Sequence, residues 1–185
     1  MAKDLQKLIS PTATAAYAWL AKPDEGQQYS DGKYKVTLLL EKKAKETKAF
    51  IKKLEAESNQ SAEKEWGKIP KNLKYAYKDG DDTDKEEFAG HYMLVCKTKF
   101  RPGMVDCGDP VSPLPEGNEP HSGDLIRVSF ALSPYKISGM IGVSAQLRNV
   151  QLVEKKNNGS GADEFESIDG GYSVAESGVA NEEDF

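Results

Sequence analysis

Between Asp124 and Ser133 apolar and polar side chains alternate almost without a break. Ile126, Val128, Phe130 and Leu132 fall on one side, and Arg127, Ser129 and Ala131 on the other. A period of two is what a half-buried β-strand requires, and a helix cannot satisfy it. Four other segments read the same way. In Ala13 to Lys22 a strand places Tyr17 and Trp19 on one face and Ala18 and Leu20 on the other. Lys33 to Leu40 sets Tyr34, Val36, Leu38 and Leu40 in register, and His91 to Phe100 is a further strand. Ile141 to Val153 is the last, and its apolar set changes parity between Leu147 and Val150, which predicts a bulge near Arg148-Asn149.

One stretch breaks the pattern. Glu41 to Glu57 is rich in Lys, Glu and Ala, with Ala44, Phe50, Ile51 and Leu54 near one stripe of a 3.6-residue period, so an amphipathic helix is expected there. Gly67, Pro70 and Asn72 end any continuation beyond Trp66. Pro134 is expected to stop the fourth strand, and Met104 to Gly123 to form a long excursion punctuated by Pro and Gly. Five strands with one interposed helix fit a small, partly open OB-fold barrel, although a β-sandwich gives a similar pattern. The expected organisation is residues 1–156 as the OB-fold domain, then a flexible linker, Asn157 to Gly161, into a disordered acidic tail that completes 157–185.

Charge divides at the same boundary. The last 29 residues hold eight carboxylates and no Lys or Arg, whereas the first 156 hold 25 cations against 22 carboxylates. The net charge of −5 therefore hides a tail at −8 and a body at +3. An acidic arm on a mildly basic body is suited to compete with a phosphate backbone for a basic groove, and the closing Phe185 offers a partner an apolar grip. No apolar run approaches the ~20 residues that span a bilayer, and the N-terminus lacks the apolar stretch of a secretory signal. A soluble, intracellular protein is expected.

Catalytic signatures are missing. There is no Gly-x4-Gly-Lys-Ser/Thr phosphate loop, His-Glu-x-x-His or Gly-x-Ser-x-Gly, and two histidines leave little imidazole for acid–base work, so no enzyme and no cofactor are expected. A calcium loop from Asp79 fails, because its sixth position is Asp84 in place of Gly and its twelfth is Gly90 in place of Glu. The acidic run Lys78 to Glu87 reads as a solvated loop. His91, Cys96, Cys107 and His121 make a loosely spaced zinc set in which neither cysteine has a close paired ligand. Cys96 reads as a small core residue and Cys107 as a loop residue.

The positive signal is aromatic residues interleaved with bases: Tyr17, Trp19 and Lys22; Lys33, Tyr34 and Lys35; Lys71, Lys74, Tyr75, Tyr77 and Lys78; Lys97, Lys99, Phe100 and Arg101; and Tyr135 with Lys136. A groove for single-stranded nucleic acid needs both kinds, cations for the phosphates and flat rings for unpaired bases. Strand lysines are ordinarily just a solvent face, and Tyr17, Trp19 and Tyr34 fit core or rim packing equally. Phe100 and Tyr135 stand out because each adjoins a base and a turn residue.

Several segments together resemble the single-stranded DNA-binding protein of short-tailed, podovirus-type bacteriophages. They are Ala16-Tyr17-Ala18-Trp19-Leu20-Ala21-Lys22-Pro23-Asp24, Tyr34-Lys35-Val36, Val128 to Lys136, Gly142-Val143-Ser144-Ala145, Val150 to Glu154, and the terminal Asp184-Phe185. They occur in the same order along the chain, while the middle, Glu41 to Glu119, is much less alike. The resemblance implies an OB-fold that coats single-stranded DNA without catalysis during phage replication and recombination, in the cytoplasm of the infected bacterial host, and that promotes annealing. It further implies that the tail, here Glu182, Glu183, Asp184 and Phe185, contacts the phage DNA polymerase and helicase-primase, occupies the DNA cleft in the free protein and supports a homodimer. By position it makes Tyr135 and Lys136 the leading DNA contacts, with Tyr17, Trp19, Lys22 and Lys35 behind them. This tail is sparser in charge than the resemblance leads one to expect, because Gly170 to Val174 interrupts it. The contrasting reading is an interaction adaptor or DNA mimic in which the acidic tail is the active element.

Overall fold

Five long strands carry the architecture, where the sequence expected them: β2 (Ala13–Trp19), β3 (Tyr34–Glu41), β5 (His91–Thr98), β7 (Leu125–Ile137) and β8 (Met140–Glu154). The computed structural model describes residues 7–26 and 30–156. It adds three short strands that the sequence reading did not foresee, β1 (Lys7–Ile9), β4 (Tyr77–Asp79) and β6 (Gly103–Val105). Three residues are too few to display a period of two, and β1 and β6 pair with strands remote in sequence, so local pattern could not reveal them.

The long strands pair in the circuit β2–β3–β5–β8–β7–β2. All contacts are antiparallel except β5–β8, which is parallel. Two joints are thin: β5–β8 pairs at Cys96 and Lys97, and β7–β2 at Ala13 and Thr14. The sheet therefore rings its core only partly, as the OB-type expectation required. Inward alternation fills the ring with Val36, Leu38, Leu40, Leu94, Cys96, Ile126, Val128, Phe130, Leu132 and Val143, all at most 1 % exposed.

The helix α1 runs Lys45–Trp66, later and longer than the expected 41–57. Residues before it are held in a turn, where Lys42 pairs with both Asp79 and Asp81. Its buried residues, Thr47, Phe50, Ile51, Leu54, Ser58 and Ala62, follow the i, i+3, i+4, i+7 pattern and form one stripe facing the core. Phe50 meets Phe130 edge-on, with centroids 6.2 Å apart. Gly67 ends the helix in the left-handed conformation at φ 71°. No helix of the described residues is long and apolar enough to cross a membrane.

Pro134 does not stop β7. The strand continues to Ile137, because beyond Ala131 only β8 pairs with it and the other edge has no ladder for a proline to interrupt. The resulting β7–β8 hairpin projects from the ring and closes in a two-residue turn, Ser138-Gly139, with φ of 48° and 80°. Two positive values mark the turn type whose twist matches a hairpin. The expected bulge near Arg148-Asn149 is present: Ser129 pairs with Asn149 and Phe130 with Leu147, leaving Arg148 unpaired. The expected loop 78–87 overlaps β4 and two single 3-10 turns, Gly80–Asp82 and Glu86–Phe88, so it is more ordered than a solvated loop. The linker, the acidic segment and Glu182, Glu183, Asp184 and Phe185 lie outside the described residues.

Candidate nucleic-acid interface

Register decides which of the sequence-predicted residues can act together. Trp19 pairs with Lys35, Lys35 with Lys97, and Lys97 with Gln146, so one residue from each of β2, β3, β5 and β8 forms a row across the sheet. Directly opposed residues share a face. The neighbours Val36, Cys96 and Ala145 are buried, so the row lies on the outer face. A bulge in β2 makes this possible. Ala16 pairs with Thr37 and Trp19 with Lys35, so three steps on β2 match two on β3. Tyr17, inside the bulge, takes φ 47°, an uncommon conformation for a bulky residue.

The bulge leaves Tyr17 and Trp19 both about two-fifths exposed. The Tyr17 ring packs edge-on against Phe88, with centroids 5.9 Å apart, and Lys85 lies over it at 5.0 Å from its centroid. Hydrogen bonding of Lys85 to the Tyr17 hydroxyl holds that ammonium's pKa above its ordinary value. Lys85 and Phe88 were missed from the sequence, where one lysine and one Phe in an acidic run give no sign of crossing to β2. Lys99, Phe100 and Arg101 follow the end of β5. Phe100 is 79 % exposed, the least covered large apolar side chain among the described residues.

The cations of this row have partners. Lys35 pairs with Asp24 and lies 3.7 Å from Asp31, while Lys97 reaches Asp31 at 2.9 Å. Arg101 pairs with Glu119 at 2.8 Å. Hydrogen bonds from Lys35 and Lys97 hold the carboxyls of Asp24 and Asp31 below the usual carboxylate range. Lys22, Lys99 and Lys136 are exposed and form no ion pair among the described residues.

Tyr135 and Lys136 stand apart from the row, on the projecting hairpin. Tyr135 pairs with Gly142 across the hairpin, and Lys74 bridges to Gly142 from the other side. A Cβ on Gly142 would lie 2.6 Å from the Tyr135 hydroxyl oxygen and 2.8 Å from the Lys74 carbonyl oxygen. The ring thus lies across bare backbone, and Gly142 is the residue that admits it. Lys74 leads into Tyr75 and Tyr77, which stack with centroids 6.0 Å apart and are anchored through hydrogen bonds to Asn59 and Glu55 of α1. Burial and the Glu55 carboxylate push the Tyr77 hydroxyl's pKa up, so it stays protonated as a donor.

The zinc set is not assembled. Cys96 points into the core, and burial pushes its thiol pKa well up. Cys107 is exposed beside the Val153 carbonyl, and the His91 ring contacts the Ala89 carbonyl. Among the described residues no three His, Cys, Asp or Glu side chains come together as a metal site. A groove of about 670 Å³ between the β1–β2 connection and the start of α1 contains none of the predicted contact residues.

A partly open OB-type ring with an outer row of cations and exposed rings defines a class of oligonucleotide-binding folds. Within it, residues 6–176 match the family model described as the ssDNA-binding protein of Enterobacter phage Enc34, and the chain belongs to that family. It is 30 % identical over 145 residues to protein p50 of Acyrthosiphon pisum secondary endosymbiont phage 1, covering 74 % of this chain and 77 % of that one. Its fold is that of the single-stranded DNA-binding protein of bacteriophage Enc34 solved in complex with single-stranded DNA. There the TM-score is 0.67 at 19 % identity, over 81 % of this chain and 87 % of the other. The fold is shared also with gp2.5, a single-stranded DNA-binding protein encoded by bacteriophage T7, with a TM-score of 0.62 at 22 % identity over 92 % and 99 % of the two chains.

Proposed function

We propose that this chain binds single-stranded DNA without regard to sequence and without catalysis, through two contact regions. One is the row Trp19, Lys35 and Lys97 with the adjoining Tyr17, Lys22, Lys99, Phe100 and Arg101; the other is Tyr135 and Lys136 on the hairpin. The observation that carries the reading is the register, which sets an exposed ring beside cations from separate strands on one outer face. Cations follow the phosphate backbone, and exposed rings stack on bases that a duplex would hide. Family membership supports the same substrate.

The biological role that fits is coating and annealing of single strands in phage DNA replication and recombination, in the host cytoplasm. In this reading Glu182, Glu183, Asp184 and Phe185 contact the phage DNA polymerase and helicase-primase and compete with DNA for the cations, and the protein dimerises.

The test is anisotropy of a labelled oligo-dT with the full chain and with a chain ending at Lys156, at two salt concentrations, against a matched duplex. Expected is salt-sensitive binding to the single strand, tighter without the tail, and weak binding to the duplex. No binding by either chain would discard the proposal and leave the adaptor reading, in which the tail alone is active. If the last residues carry most of the competition, deleting Asn181 to Phe185 raises affinity almost as much as deleting from Ala162.

A further inference from the structure

The acidic residues beside the row are held both by the lysines and by backbone groups of their own connection. Asp24 and Asp31 both belong to the connection between β2 and β3. Backbone hydrogen bonds close the base of that connection: the Asp24 N–H donates to the Lys33 carbonyl at 2.9 Å, and the Gly32 N–H to the Asp24 carbonyl at 3.0 Å. Each carboxylate is also fixed locally, Asp24 Oδ1 accepting from the Gly26 N–H at 3.2 Å and Asp31 Oδ1 from the Lys33 N–H at 3.3 Å. Thus two anionic groups are held against two ammonium groups that are direct cross-strand neighbours, next to Trp19. Asp31 serves both lysines.

We propose that Asp24 and Asp31 are a built-in phosphate mimic: their carboxylates neutralise Lys35 and Lys97 in the free protein, and single-stranded DNA engages the row only by displacing them. The inference rests on the reading that this row binds DNA, and it names an internal competitor separate from the C-terminal tail. A carboxylate and a phosphodiester oxygen present the same acceptor chemistry to an ammonium group, so exchange is direct. It also makes binding less salt-sensitive. Each phosphate captured by a free cation adds about 0.7 to the slope of log affinity against log salt, whereas a displaced carboxylate takes back a counterion and cancels part of it.

The experiment uses the full chain. Wild type, Asp31→Asn, Asp24→Asn and the double variant Asp31→Asn/Lys97→Gln are titrated with labelled oligo-dT at several salt concentrations, and thermal melts are recorded for all four. Expected for Asp31→Asn is tighter binding at low salt by about two- to fivefold, the scale of an exposed ion pair, with a steeper salt slope. Asp24→Asn, which leaves Lys35 only its longer contact with Asp31, gives a smaller gain of the same sign. The double variant loses the gain. Wild type that binds while neither single variant binds tighter or more steeply overturns the proposal and leaves the DNA-binding reading intact. Wild type that does not bind the oligonucleotide overturns both. Weaker binding by Asp31→Asn with a lower melting temperature assigns the carboxylate to structure and also overturns the proposal.

Discussion

The outer row and the hairpin arm both present aromatic rings and cations, yet they treat charge in opposite ways. Along the row, Lys35, Lys97 and Arg101 each face a carboxylate, supplied by Asp24, Asp31 or Glu119. On the arm, Lys136 is exposed without an ion pair among the described residues, and the neighbouring ring rests on glycine backbone. The row sits on the wall of the ring, where loops from elsewhere in the chain reach it. The arm projects beyond the other strands, with only β8 and the bridge from Lys74 beside it. Charge satisfaction here follows which carboxylates reach a cation. The β2–β3 connection reaches Lys35 and Lys97, and Glu119 reaches Arg101, whereas Lys136 on the hairpin, like Lys22 and Lys99 beyond the ends of β2 and β5, has no ion pair among the described residues.

The largest effect should come from filling the space beneath Tyr135. Gly142→Ala places a Cβ 2.8 Å from the Lys74 carbonyl oxygen, a backbone atom that cannot swing aside as the ring can. A stability loss of about 1–3 kcal/mol, typical of overpacking, is expected in denaturant melts, together with weaker oligo-dT binding. An unchanged melt would break the arm's side of the comparison, because the ring would not then depend on bare backbone.

Next come the two rings. Tyr135→Ala and Phe100→Ala should each cost about 1–3 kcal/mol of single-strand affinity, the measured worth of a base stack. Phe100 is 79 % exposed, so its loss should leave stability within ~0.5 kcal/mol, which makes affinity a clean readout. Binding that depends on one ring and not on the other would reduce the two regions to a single site. Lysine substitution then sharpens the electrostatic contrast. Lys136→Gln should lower the salt slope by about 0.7, while Lys97→Gln lowers it by less, because Asp31 already offsets that charge. Equal slopes would mean that the ion pair does not persist in solution.

The ring itself was readable because its strands are long enough to show their period, and the parity change before Val150 located the bulge at Arg148. What escaped was whatever depends on distant partners. Pro134 looked like a stop because sequence does not show that β7 has one bare edge there. Lys35 and Lys97 read as free cations because Asp31 lies in a connection whose return path only the fold specifies. Trp19 and Tyr17 were recognisable as candidates, but the bulge that turns Trp19 onto the face of Lys35 left no trace in a run of Ala, Tyr and Trp. The tail, read from composition alone, has no counterpart among the described residues.

The smallest expected effect concerns acid, and its sign follows from the same ion pairs. Asp24 and Asp31 have folded-state pKa values lowered from 3.8, chiefly by hydrogen bonds from Lys35 and Lys97. A lowered pKa means that the pairs contribute stability above the unfolded value, and that this contribution is lost as pH falls from there through the folded value. Between neutral pH and about pH 5 the row should therefore hold its pairs, and the melting-temperature advantage of wild type over Asp31→Asn should be small and independent of pH. Below about pH 4 wild type should lose stability faster than Asp31→Asn, converging on it as the carboxyl protonates. Parallel loss in the two proteins down to pH 3 would show that Asp31 is not held by the lysines, and the outer row would then present open cations just as the hairpin arm does.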